Sequence, residues 1–283
     1  MSSSCVKTSA SNKRRKRSIG ARMDLLPITA IVVTYNEDEH LDECLNGISF
    51  CRQVVVADLG SKDRSIEISK KHGADVVHHE RLPVVEKVRE SVVDKAENDW
   101  VLFIDPDEIF PQSYARKIKP IIEDKSVGRV FFPWKFYFQG EPLDGTQWGG
   151  QKKKGILVHT DRCSIDGEVH QGITLKEEYE AVQIPWDAPS EHIRHYWMDN
   201  WSQLFEKHRR YVQQEGEVRF KNGERFSWLR VVHDPLQALV QSLIREEGWR
   251  DGATGIFLSF FHAWYVGACL FSLRRYQNSH SSP

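Results

Sequence analysis

Residues 100–110 read WVLFIDPDEIF. Five apolar residues run without alternation, as in a strand buried on both faces of a parallel sheet. The run ends in Asp105, Pro106, Asp107 and Glu108, three carboxylates within four residues that repel one another. Acids clustered at the carboxyl end of a strand are stabilised most simply by a divalent cation, and oxygen ligands with like charge suit Mg²⁺ or Mn²⁺. Such an ion keeps waters and completes its shell from a diphosphate, so Asp-x-Asp here suggests a nucleotide-diphosphate site. The plainer alternative is a solvated turn set by Pro106, with Asp107 or Glu108 capping a helix that begins near Pro111.

Working outward, strands and helices alternate. ITAIVV (28–33) is a β-branched strand, and TYNEDEHLDECLNGI carries Leu41, Leu45 and Ile48 at helical spacing. VVVAD (54–58) is a second strand ending in Asp58. GSKDRS is a turn, SIEISKKHG a helix closed by Gly73, and ADVVHH (74–79) a third strand. Residues 84–97 place valines on one side of an amphipathic helix. The pattern predicts an α/β, doubly wound, mostly parallel sheet with helices on both faces. Ligands of such sheets bind beyond the carboxyl ends of the strands. Thr34-Tyr35-Asn36-Glu37, Asp58 and the 105–108 acids all fall there. Tyr35 is placed to stack on a base and Asp58 to accept from a base N–H; alone, either is an ordinary core-edge or turn residue.

The second half differs. VFFPWKFYF (130–138) is an aromatic strand, 139–155 reads as a Gly-, Gln- and Lys-rich loop, and ILVHTD and the Glu168-Val169-His170 segment suggest more strands. From Asn200 the periodicity is helical. Residues 252–273 carry no Asp, Glu, Lys or Arg and are long enough to span a bilayer. Three readings compete there: a core helix, a helix in the membrane interface, or a span, with Arg274 and Arg275 at anionic headgroups. The expected organisation is a basic tail over 1–24, a sheet domain over 25–199, and a helical extension over 200–283 that is a candidate for membrane association.

The net charge of −1 hides an asymmetry: residues 1–22 hold seven Lys/Arg and no acid, leaving −8 on residues 23–283. A mildly acidic fold does not suggest a nucleic-acid surface. KRRKR is read as part of a solvated tail, and Met23 is a candidate start. The five cysteines are scattered without CxxC spacing, as in a reducing compartment and not in a disulfide or zinc framework.

Taken together, ITAIVVTYNEDEHLDECL, VVVADLGSKDRS and DWVLFIDPDE resemble the family 2 inverting glycosyltransferases of GT-A (Rossmann-like) fold. HYWMDNWSQLFEKHRRY and GWRDGATGIF are similar to the lipopolysaccharide-core subgroup, which includes inner-core heptose β-1,4-glucosyltransferases. The resemblance covers residues 27–276. It implies that Thr34, Tyr35, Glu37 and Asp58 hold base and ribose, that Lys87 and Arg89 face the diphosphate or base, and that Asp105 contacts ribose or sugar. It implies that Asp107 ligates the Mg²⁺ or Mn²⁺, with His195 a candidate further ligand. Lys207, Arg209 and Arg210 are candidates for phosphate or an anionic acceptor. The implied partners are a nucleotide-sugar donor, a glycan or glycolipid acceptor, and the inner leaflet of a membrane; no nucleic acid is implied.

The chain departs from the family pattern. DLGS replaces D-S-G-S, Pro106 replaces Ala, and Glu90 stands where Asn is common. In GEVHQG (167–172), Gln171 occupies the place of the family's acid and cannot be a base. Glu168, Asp166 and His170 are the remaining candidates, Glu168 and His170 sharing a strand face. The expected activity is metal-dependent inverting transfer from a UDP-sugar to lipopolysaccharide inner core. The alternatives are a polyprenyl phosphate, capsule or protein acceptor, or a non-catalytic nucleotide-sugar-binding scaffold.

Overall fold

A computed structural model describes residues 25–82, 85–165 and 172–280. The first half is β1 (Leu26–Thr34), α1 (Asp38–Gly47), β2 (Cys51–Asp58), α2 (Ser65–Lys71), β3 (Asp75–His78), α3 (Val85–Val92) and β4 (Trp100–Ile104). The chain continues through β5 (Glu108–Ile109), α4 (Tyr114–Glu123), β6 (Val127–Phe138), β7 (Glu141–Pro142) and β8 (Lys152–His159). Next come β9 (Cys163–Ile165), β10 (Ile173–Leu175), β11 (Glu180–Gln183) and β12 (Ile193–Met198). Three helices follow: α5 (Trp201–Lys221), α6 (Trp228–Val240) and α7 (Gly252–His280).

The main sheet runs β3-β2-β1-β4-β8-β6-β12-β5, with β7 and β11 also paired to β6. Its first four strands are parallel. Beyond β4 the sheet is mixed: β8 is antiparallel to both β4 and β6, whereas β12 is parallel to β6. The strand alternation divides the core in two. Ile28, Ala30 and Val32 of β1 and Trp100, Leu102 and Ile104 of β4 face α1 and α4, meeting Leu41, Leu45, Tyr114 and Ile118. Ile31, Val33, Val101 and Phe103 face the other way, onto Val88 and Val92 of α3. The apolar runs read as doubly buried strands are therefore covered on both faces.

Two boundaries differ from expectation. Lys152–Lys154 belong to β8 and not to a loop, because β6 pairs with them from Phe132 to Trp134. Neither Asp107 nor Glu108 caps α4, whose N-cap residue is Ser113. The basic stretch 1–24 and the candidate bases Asp166, Glu168 and His170 lie outside the described residues. Flanking those bases, β9 and β10 pair antiparallel with Ile165 opposite Ile173.

The helices are fastened to the sheet at two places. Phe138, Trp197 and Met198 join Leu204 of α5 and Leu258 and Phe261 of α7 in a third apolar cluster. The Asp251 carboxylate, just before α7, accepts from the Asp144 and Gly145 backbone N–H groups at 2.7 and 2.9 Å. The apolar segment over 252–273 is thus neither free nor fully buried: Leu258, Phe261, Cys269, Leu270 and Leu273 turn inward, while Phe260 and Trp264 are exposed. Helices α5 and α7 cross closely at Gly216, where an added Cβ would stand 2.5 Å from the Ser272 carbonyl oxygen. Gly216→Ala should therefore force these helices apart and cost about 1–3 kcal/mol, read as a lowered urea midpoint.

Candidate functional site

The site is built where β1, β2 and β4 end. After β4, the chain turns through Asp105-Pro106-Asp107-Glu108, with the Glu108 N–H donating to the Asp105 carbonyl at 3.0 Å. The Glu108 side chain is fully buried and folds back to accept from the Asp105 N–H at 3.1 Å and from the Trp134 indole at 2.7 Å. Lys154, projecting from β8, donates to Asp105 at 2.8 Å and to Glu108 at 2.6 Å. The Arg89 guanidinium from α3 takes the other oxygen of Asp105. Burial opposes ionisation of Asp105, but Lys154 and then Arg89 outweigh it and hold the carboxyl well below the usual range. Its folded pKa being depressed, Asp105 stabilises the fold above the ordinary carboxylate range and loses that effect as pH falls. Burial likewise opposes the charge on Lys154, and Asp105 and Glu108 raise its pKa above the usual value.

Two of the three acids are thus neutralised by the chain's own cations. Asp107 is placed differently. β5 pairs antiparallel with β12, putting His195 opposite Glu108, and the Tyr196 N–H donates to the Asp107 carbonyl at 2.9 Å. The His195 Nε2 then stands 3.2 Å from the Asp107 carboxylate, its ring packed against Trp134 and Phe136. Two ligands of a six-coordinate ion at ~2.1 Å lie roughly 3 Å apart, so this pair fits a hard divalent cation. Ligation through Nε2 moves the ring proton to Nδ1, which is buried without a partner among the described residues. Asp107 is accordingly the stronger of the two candidate ligands.

Asp107 lines a cleft of about 340 Å³ with Asn36, Glu37, His40 and, from α5, Lys207 and Arg210. Glu37 is exposed at the surface, but the protein packed around its carboxyl, and next the charge of Asp107, push its pKa up to about 7, although Lys207 and His40 pull it down. His40 stacks on Tyr196 and contacts Asp199 at 3.0 Å. Arg209, exposed on α5, does not line the cleft.

The remaining sequence-predicted residues fall at the same edge. The Thr34 hydroxyl is buried without a partner among the described residues. The Tyr35 ring lies under the Arg81 guanidinium, 4.3 Å from its centroid. Asp58 is buried and accepts from the Gly60 and Ser61 N–H groups at 3.1 Å, a contact that Gly60 allows by adopting φ +88°. Asn36, at φ +55°, accepts from Lys62, so the loops after β1 and β2 are stitched together. Arg89 reaches Asp105, whereas Lys87 is exposed on α3. Lys154 and Trp134 were not singled out by sequence. Their signal is strand register: on β6 and β8, both meet the 105–108 turn.

A family model described as glycosyl transferase family 2 matches residues 29–176. Two curated relatives, the SPbeta prophage-derived glycosyltransferase SunS of Bacillus subtilis (strain 168) and glycosyltransferase SunS of Bacillus phage SPbeta, are each 25% identical over 156 residues, 53% of this chain. The matched region spans only 35% of the length of those relatives. Among solved structures, S. aureus TarS is 24% identical, with a TM-score of 0.34, over 38% of this chain and 22% of its own. Glucosyl-3-phosphoglycerate synthase from Mycobacterium tuberculosis, in complex with Mn²⁺ and UDP-glucose, is 21% identical, with a TM-score of 0.32, over 40% of this chain and 44% of its own.

Two outcomes test the electrostatics. Lys154→Met leaves Asp105 and Glu108 without their shared cation and should cost about 3 kcal/mol, with Lys154→Arg recovering part of the urea midpoint. Carbon-13 NMR should find the Glu37 carboxyl titrating near pH 7, and Asp107→Asn should lower that midpoint by removing a like charge.

Proposed function

Since the chain belongs to glycosyl transferase family 2, we propose that it is a metal-dependent inverting hexosyltransferase whose donor is a UDP-sugar. The observation that carries this reading is the unequal treatment of the three acids. Lys154 and Arg89 neutralise Asp105 and Glu108, and Asp107 alone faces a cleft with cations on its far wall. Asp107 and His195 would hold Mg²⁺ or Mn²⁺, which when bound neutralises the departing diphosphate. Lys207 and Arg210 are positioned to meet phosphate oxygens. The unpartnered Thr34 hydroxyl, Tyr35 and Asp58 stand where base and ribose are expected, Asp58 already fixed by two backbone donors. Asp105, kept ionised, is suited to accept from a ribose or sugar hydroxyl.

Inversion needs a base on the face of the sugar opposite the diphosphate, taking the acceptor hydroxyl's proton as that oxygen attacks. Glu168, Asp166 and His170 are the proposed candidates. The proposed acceptor is a membrane-anchored glycan of the lipopolysaccharide inner-core kind, which places the enzyme in the cytoplasm, peripheral to the inner membrane. The similarity of HYWMDNWSQLFEKHRRY and GWRDGATGIF to that subgroup supports this acceptor.

Calorimetric titration with UDP tests the donor site. Binding should require Mn²⁺, disappear with EDTA, and be lost in Asp107→Ala, with donor turnover falling about 10²–10³-fold. Metal-dependent turnover retained in that variant would remove the metal assignment.

A further inference from the structure

Sixteen large apolar side chains are exposed among the described residues, and all but Leu25 lie between Phe205 and Phe271. Their distribution does not follow hydropathy. The apolar segment of α7 has a mean hydropathy of 1.7, and while Leu258, Phe261, Cys269, Leu270 and Leu273 pack inward, Ile256, Phe257, Phe260, Trp264 and Phe271 stay exposed. The most exposed side chains are on α6, where Leu229 is 77% and Val232 70% accessible. Trp228, Leu229, Val232, Leu236 and Val240 recur at helical spacing and form one outward stripe. Monomers rarely leave so much apolar surface contiguous without a use for it.

Beside this stripe runs a groove of about 810 Å³. Val231 and Pro235 of α6 form one wall. Ala263, Gly267 and Ala268 form the other, with Arg274 and Arg275 at one end. Gly267 faces Pro235 across the groove: a Cβ there would stand 3.5 Å from the Pro235 Cγ, in ordinary contact, and a longer side chain would reach into the groove. From Ala263 to Arg274 it extends roughly 17 Å at ~1.5 Å per residue. The two arginines, like Lys207, Arg209 and Arg210 of α5, differ from the remaining cations of these helices. Arg219, Lys221 and Arg230 each pair with a carboxylate. Arg274 instead lies over the Trp228 ring at 4.6 Å, and neither it nor Arg275 has an ion-pair partner among the described residues.

We infer that the α6–α7 face docks on an anionic phospholipid bilayer, with the groove taking one acyl chain and Arg274 and Arg275 the phosphate of the same lipid. The chemistry matches end to end: an apolar channel closes on two uncompensated cations, and exposed Trp228 and Trp264 suit the headgroup boundary. A second protein chain would call for carboxylates opposite the arginines and polar groups opposite the rim. A lipid meets both demands with one molecule. This inference rests on the membrane-peripheral reading above, but it moves the contact from the apolar segment of α7 to the exposed face of α6.

Vesicle co-sedimentation of the full chain tests it, using phosphatidylcholine with and without phosphatidylglycerol. Wild type should bind the anionic vesicles and bind phosphatidylcholine weakly. Arg274→Gln with Arg275→Gln should reduce binding about 25-fold, at about fivefold per cation. The exposed pair Leu229→Asn and Val232→Asn should reduce it at least tenfold, and Gly267→Leu, which fills the groove, should do the same. UDP binding by these variants should match wild type, showing that they remain folded. If wild type ignores both vesicles, the membrane-peripheral reading itself fails. If wild type binds but every variant binds equally well, the α6–α7 assignment alone is overturned. Loss of binding only on deletion of residues 1–22 would transfer the contact to the basic tail. Concentration-dependent dimerisation abolished by the α6 pair would assign the face to a second copy.

Discussion

The Lys154 ammonium, held between Asp105 and Glu108, is the contact on which the site depends. Strand β4 delivers three acids to one turn, and without an internal cation their repulsion would open it. Lys154 comes from β8, the first antiparallel strand beyond β4, so the change of direction in the sheet supplies the charge that the parallel half lacks. With Glu108 fixed by Lys154 and the Trp134 indole, β5 can pair with β12. That pairing brings His195 to Asp107. A salt bridge, a strand pair and a candidate metal site are three consequences of one side chain. The network is costly to break, because Glu108, fully buried, would be left as a charge without its cation, whereas Asp105 would keep Arg89.

The same arrangement makes the cleft a candidate cation site. Asp107 is the acid that the chain leaves outside the Lys154 network, and its charge reaches Glu37 strongly enough to help raise that carboxyl to about 7. The opposing wall is borrowed from α5, whose Lys207 and Arg210 enter because Leu204 is buried against Phe138, Trp197 and Met198. The helical extension is therefore part of the site. Its anchoring through Asp251 to the Asp144–Gly145 backbone fixes where those cations stand relative to Asp107.

The parallel half of the fold was legible because its signals are local. β-branched runs, turn residues and a helix closed by Gly73 each act within a few residues, and the site acids follow directly from where those strands end. The mixed half was not legible in the same way. Lys152–Lys154 read as loop because three lysines look solvated, yet β6 pairs with them and turns Lys154 inward toward acids 46 residues or more away in sequence. Glu108 read as a cap or a metal ligand because nothing local announces that Trp134 will donate to it. Such contacts depend on register between distant strands, which composition does not encode.

The C-terminal helices show the same limit in another form. Hydropathy sums the residues of a segment without asking which way they point, so 252–273 stood out and α6, interrupted by Arg230, His233 and Asp234, did not. In the fold, two of those polar residues answer each other: Arg230 pairs with Asp234 and also with Glu224, off the outward stripe. What remains outward on α6 is Trp228, Leu229, Val232, Leu236 and Val240, with His233 and Gln237 exposed beside them. α7 turns part of its apolar surface onto α5 and α6 and leaves Phe260 and Trp264 exposed. The surface free for a bilayer is set by the residue that each helix turns away from its neighbours. Under the proposed docking, the less hydrophobic helix presents the outward apolar stripe, while the more hydrophobic one holds that stripe in place.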